Sequence, residues 1–239
     1  MTDSDKPSSR PWFRNLPLLL VAFAGLAGGA FLATRDFAPE PEGASGGNGT
    51  NAKEAAELAS LQSSLKNSQV LPADFRTVPS FTLASGEGEP MTESVLEGRW
   101  SLMFFGYTNC PDVCPVTLSV MKQVVDELER REVEPMQVVF ATVDPVRDTP
   151  ARMREYVDYF DEDFVPVSGE LDDVLALTRA LGIVAAFTAN EEDPDAYVVD
   201  HTASMLLIDP ERRVRAKFSA PHEVDTIVED YVTLRGALS

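Results

Sequence analysis

Apolar positions fall into three regimes along the chain. From Asn15 to Thr34 no residue is charged, and Leu16 to Ala33 is almost wholly Leu, Ala, Val, Phe and Gly. Roughly 20 helical residues at about 1.5 Å each cross a hydrocarbon core of about 30 Å, so residues 15–34 are expected to form one membrane-spanning helix. Over residues 35–72 the apolar content thins. Pro39 to Thr50, PEPEGASGGNGT, offers nothing to bury and reads as a flexible tether. Within Asn51 to Gln69, Ala55, Leu58, Leu61 and Leu65 stand at helical spacing, a short helix that either docks on the folded domain or extends the tether.

From about residue 73 short apolar runs alternate with helical periodicity. The runs predict strands at Ser80–Leu83, Trp100–Phe105, Met136–Val143, Met205–Asp209 and Val214–Ser219, with a short extended pair around Val184–Phe187 and Ala196–Val199. Helices are expected at Pro115–Arg131, Pro150–Phe160, Leu171–Leu181 and Glu223–Leu234. In the first, Leu118, Met121, Val124, Val125 and Leu128 recur at three- and four-residue steps and make one face apolar. A strand–helix–strand unit closed by a hairpin and a helix is the thioredoxin pattern, so residues 73–239 are expected to be one α/β domain with a β-hairpin insertion.

Charge orients the chain and narrows its partners. Lys6, Arg10 and Arg14 precede the apolar helix, and Asp36, Glu40 and Glu42 come after it. Residues 1–14 then stay in the cytoplasm and everything after residue 35 is exported. A cleaved signal peptide is the alternative, but Ala30-Phe31-Leu32-Ala33 lacks the A-x-A spacing of a cut site, which favours a retained anchor. The formal charge of −19, from 39 acidic and 20 basic residues, argues against nucleic-acid binding.

Chemistry concentrates in Leu102 to Thr117, LMFFGYTNCPDVCPVT, which holds both cysteines of the chain, Cys110 and Cys114. Leu102 to Phe105 reads as a buried strand, and Gly106 frees the backbone for a sharp loop. Pro115 suits the first turn of a helix, so Cys114 is expected at a helix N-terminus, where free N–H groups and the helix dipole favour a thiolate. Two thiols so placed can close a disulfide, hold a soft metal, or do both in turn. A purely structural disulfide gains little from so short a loop.

FFGYTNCPDVCP resembles the signature of the Sco/SenC family, and VDPVRDTP (Val143 to Pro150) and YVVDHTASMLLID (Tyr197 to Asp209) agree with it. That family comprises membrane-anchored thioredoxin-like proteins that bind copper and help assemble the copper centre of cytochrome c oxidase. The resemblance implies a metal set of Cys110, Cys114 and His201. In thioredoxin-like folds the loop entering the strand after His201 faces the cysteines and normally carries a cis-proline; here it reads HTAS. Asp200 is a candidate to orient the imidazole, and Arg147 to pair with Asp144 or Asp148 or to face the thiolates. Asp148 or Thr149 is expected to cap the next helix. His222 reads as a surface residue.

Two thiolates and one imidazole suit Cu(I), and with a fourth weak ligand Cu(II). Zinc is the rival, but these motifs offer no glutamate or second histidine to act as a base. By resemblance, the domain faces the periplasm or an equivalent exported side of an inner membrane. It takes copper from a donor protein and passes it to the copper-site subunit of the oxidase. The alternative is a thiol–disulfide oxidoreductase that keeps the recipient's cysteines reduced, with Cys110 and Cys114 as its redox pair. A peroxidase is a distant third, since nothing singles out one peroxidatic cysteine.

Overall fold

The computed structural model describes residues 48–188 and 197–238. The expected anchor at 15–34, the preceding residues and Ala196 of the extended pair lie outside them. No helix among the described residues is long and apolar enough to cross a membrane.

The described residues begin with α1 (Asn48–Ser64) and β1 (Ser68–Val70), then β2 (Thr82–Ser85), β3 (Pro90–Thr92) and a 3-10 turn at Glu93–Leu96. Next come β4 (Ser101–Gly106), α2 (Val113–Arg130), β5 (Gln137–Thr142), α3 (Pro150–Asp158), β6 (Val165–Ser168) and α4 (Leu171–Leu181). The last elements are β7 (Ala185–Thr188), β8 (Val198–His201), β9 (Met205–Ile208), β10 (Val214–Phe218) and α5 (Val224–Leu238).

Among the described residues, eight strands form one mixed sheet in the order β1-β10-β9-β4-β5-β6-β2-β3, while β7 and β8 pair only with each other. The expected hairpin insertion is that separate ribbon. β4 is the sheet's centre because all six of its residues are buried, as an uninterrupted apolar run requires of a strand covered on both faces. Phe104 stacks on Phe140 of β5 at 5.9 Å between centroids, and Trp100 meets Tyr231 of α5 edge-on at 6.3 Å. α2 buries Leu118, Met121, Val124 and Leu128 and packs against α5.

The sheet starts earlier than the expected boundary near residue 73, because Ser68–Val70 pairs with β10. A buried carboxylate makes this possible. Asp230 of α5 accepts the N–H groups of Lys66, Asn67 and Ser68 at 2.7–3.0 Å and the Ser68 hydroxyl at 2.8 Å. Gln62 bridges the turn between α1 and β1 by bonding Val70 N–H and the Ser68 carbonyl. The end of α1 is therefore docked, with Leu61 and Leu65 against the core.

β1, β3 and β6 escape sequence pattern for a shared reason: they are three or four residues long, and β3 and β6 contain proline. Pro166 is tolerated because β2 pairs only with Val167 and Ser168, leaving the proline beyond that ladder.

Candidate metal centre

Three loops meet at one edge of the sheet. β4 and β5 run parallel with Gly106 beside Thr142, so the cysteine loop and the loop containing VDPVRDTP leave side by side. β9 runs antiparallel to β4 with Met205 opposite Phe104, which brings the loop after His201 to the same edge. Gly106 has a second role besides turning the chain. A Cβ there would lie 2.7 Å from Cys114 Sγ and 2.8 Å from the Phe140 ring, so only glycine leaves the sulfur its seat.

Cys114 is fully buried and Cys110 half-buried, and both are free thiols. The expectation that the helix N-terminus activates Cys114 assigns the effect to the wrong sulfur. α2 begins at Val113, and the N–H of Cys114 points out of the first turn to Cys110 Sγ at 3.4 Å. Cys110 is pushed down to about 5, first by the Cys114 thiol donating to it and then by the backbone N–H groups of Cys114 and Asp112. Cys114 is pushed up, by holding its proton toward Cys110 and by burial. In the reduced pair Cys110 is the thiolate.

His201 Nε2 lies 3.6 Å from Cys114 Sγ. Its Nδ1 is 3.4 Å from the Thr202 carbonyl, a contact that is a hydrogen bond only in the tautomer protonated on Nδ1, the one that leaves Nε2 available to a metal. Phe104 and Tyr107 meet the ring edge-on at about 6 Å. The donor atoms of Cys110, Cys114 and His201 all lie within 4.8 Å of one another. An ion bridging two donors at about 2.0–2.3 Å spans at most about 4.6 Å, so the three residues fit one metal with little movement.

The surrounding carboxylates divide the remaining work. Asp148, buried, accepts the Thr108 N–H and hydroxyl, the latter at 2.6 Å, and the Thr142 hydroxyl at 2.7 Å, tying the cysteine loop to the end of β5. Burial raises its pKa. Thr149, not Asp148, caps α3, accepting from Arg152 N–H. Arg152 braces the cysteine loop through Thr108 and Asn109. Arg147 takes the pairing alternative: its Nε donates to Asp144 at 2.5 Å, and its guanidinium lies 3.7 Å over the Tyr197 ring. Asp200 is exposed, opposite Ala186, and the Thr202 carbonyl is the partner of the His201 ring instead. His222 is a correction too. It is half-buried, bonding the Ala203 carbonyl at 3.1 Å, and so props the loop after His201. Its only sequence signal is nearness to a helix start, which says nothing about a contact 19 residues away.

Fold and site together define a class: a thioredoxin-like α/β domain in which the loop facing the cysteine pair presents an imidazole. The model of the SCO1/SenC family matches residues 71–235, and the chain belongs to that family. It is 35% identical over 150 residues to the mitochondrial SCO2 homologue of Mus musculus, covering 62% of this chain and 58% of that one. The chain thus spans little more than half the length of that relative. Among solved structures, copper-bound ScoI of Arabidopsis thaliana is 29% identical with a TM-score of 0.63, covering 67% of this chain and 98% of that one. Copper-bound ScoI of Bradyrhizobium japonicum is 31% identical with a TM-score of 0.59, covering 68% and 99%.

Proposed function

We propose that this protein is a membrane-anchored copper chaperone that delivers copper to the copper centre of cytochrome c oxidase. The observation that carries the reading is the convergence of Cys110, Cys114 and His201 Nε2 on one point, a soft donor set of the size one ion needs. Membership in the SCO1/SenC family and two copper-bound structural relatives support copper as the cargo. Cu(I) is held chiefly by the two sulfurs, and Cu(II) draws on the imidazole. A copper donor protein loads the site and the oxidase's copper-site subunit unloads it by ligand exchange. The chain is anchored in the inner membrane by residues 15–34, with the domain on the periplasmic or equivalent exported side, as the basic N-terminal flank favours.

One observation favours a second reading. A half-buried thiolate at Cys110 beside a protonated, buried Cys114 is the arrangement of an attacking and a resolving thiol. His201→Ala separates the two. It removes the nitrogen ligand and leaves both thiols, so disulfide exchange with a small dithiol persists under either reading. In a strain lacking the native protein, a chaperone predicts that the variant fails to restore the oxidase copper signal at limiting copper. Full restoration would leave only the oxidoreductase. Topology is checked by a reporter fused after residue 35, expected to be active only outside the cytoplasm.

A further inference from the structure

The ribbon that carries His201 is outside the main sheet, and something must fix which way it faces. Tyr197, Val199 and His201 alternate onto one side of the strand, as a period of two requires, and each docks on a different part of the site edge. Val199 is buried and, with Tyr107 of the cysteine loop, lines the pocket beside Cys110 and His201. At one end His201 reaches Cys114. At the other, the Tyr197 hydroxyl donates to Asp144 at 2.5 Å, and Arg147 donates from Nη1 to the Tyr197 carbonyl at 3.0 Å while covering its ring. Asp144 is wholly buried, its N–H donates to Thr142 at 2.8 Å, and its other oxygen holds Arg147. On the opposite side of the strand Val198 and Asp200 are exposed.

We infer that Arg147, Asp144 and Tyr197 form a clamp that positions His201 against the sulfurs. Thr202 fixes the root of the ribbon through two bonds to Val184, at 3.0 and 3.2 Å. One anchored end leaves a two-stranded ribbon free to tilt and twist. A second anchor at Tyr197, five residues from Thr202 and roughly 17 Å along the strand, limits that freedom and aims the imidazole. Arg147 suits the task because its flat guanidinium can stack on Tyr197 and pair with Asp144 at once. The three are positioning residues, with no atom on the metal.

The inference rests on the copper reading, and its test separates the two. Arg147→Ala and Tyr197→Phe are made in the domain and compared with the parent and with His201→Ala. Cu(II) and Cu(I) affinities, the Cu(II) visible spectrum, and hydrogen exchange of the metal-free protein at residues 198–201 are measured. Changes around the ligands of a metal typically cost 10- to 100-fold in affinity. Arg147→Ala is therefore expected to lower Cu(II) affinity by roughly that factor, move the spectrum toward that of His201→Ala, and leave Cu(I) affinity unchanged. Exchange at 198–201 should quicken. A role in general stability would lower both affinities together and overturns the inference, as does an unchanged spectrum in both variants. Should the parent bind no copper, the copper reading fails, and exchange at 198–201 decides the clamp alone: faster in the variants supports it, unchanged refutes it. If Arg147→Ala does not fold, Tyr197→Phe, which loses one oxygen, is read by the same outcomes.

Discussion

The two cysteines and the histidine belong to differently built regions. The cysteines ride on the central strand and the helix after it: Phe104 and Phe105 are wholly buried, Cys114 is seated against Gly106, and Asp148 knits the loop to β5. The histidine rides on a two-stranded ribbon with Val184, Phe187 and Val198 exposed. Buried contact density sets how readily a region opens, so the sulfurs are the rigid half of the site and the imidazole, aimed by the clamp but carried on an exposed ribbon, the adjustable half. A carrier benefits from that division. The sulfurs can keep hold of Cu(I) while the third ligand comes and goes with oxidation state or partner.

The largest effects should come from breaking the rigid half chemically. Cys110→Ser or Cys114→Ser should abolish stoichiometric Cu(I) uptake, and so should oxidation of the pair to a disulfide, because the metal needs both sulfurs as thiolates. Copper per chain after desalting, in reduced and oxidised samples, checks this. Undiminished uptake by fully oxidised protein would place the copper site elsewhere.

His201→Ala attacks the adjustable half and should discriminate between oxidation states. Cu(II), which prefers nitrogen donors, should be lost, whereas Cu(I) should be weakened far less. Competition titrations with chelators for each ion give the two affinities. Equal losses would mean that the ribbon does not supply a separable ligand.

Gly106→Ala tests the seat of Cys114. A methyl group 2.7 Å from the sulfur and 2.8 Å from Phe140 cannot be absorbed by a flexible chain end, since both neighbours are in the core. Overpacking of this kind costs about 1–3 kcal/mol, and the thermal midpoint should fall accordingly. An unchanged midpoint would mean that the strand end yields, and that the sulfurs are less rigidly held than the contacts imply.

Legibility in the sequence divides along the same line. β4, α2, β5 and α4 are legible because long apolar runs and 3.6-residue periodicity are local signals. Leu171–Leu181 is placed to the residue. Cys110 and Cys114 announce themselves by spacing and by being the sole cysteines. His201 has no such signal and enters through family resemblance, because a lone imidazole becomes a ligand only by tertiary placement. The clamp is less legible still. Tyr197 and Asp144 are 53 residues apart, and VDPVRDTP reads equally well as a plain turn with a helix cap and as a functional loop beside the cysteine loop. The choice between the sulfurs turns on side-chain direction: α2 does begin at the cysteines, but its free N–H groups serve a sulfur that precedes the helix.

That choice yields the smallest and most specific expectation. With Cys110 pushed down to about 5 and Cys114 pushed up, single-turnover alkylation of the reduced, metal-free domain should modify Cys110 alone. Its rate should rise through about pH 5 and be flat by about pH 7, while the denatured chain should still be accelerating near its ordinary thiol value of about 8.5. The causes have an order that can be tested. The Cys114 thiol is the largest influence holding Cys110 down and His201 a lesser one, so Cys114→Ala should move the alkylation midpoint upward further than His201→Ala does. Peptide mapping after brief exposure to iodoacetamide at several pH values gives both the site and the midpoint. A native rate that climbs tenfold per pH unit between pH 6 and 8 would mean that the Cys114 thiol and the first-turn N–H groups do not hold Cys110 as a thiolate.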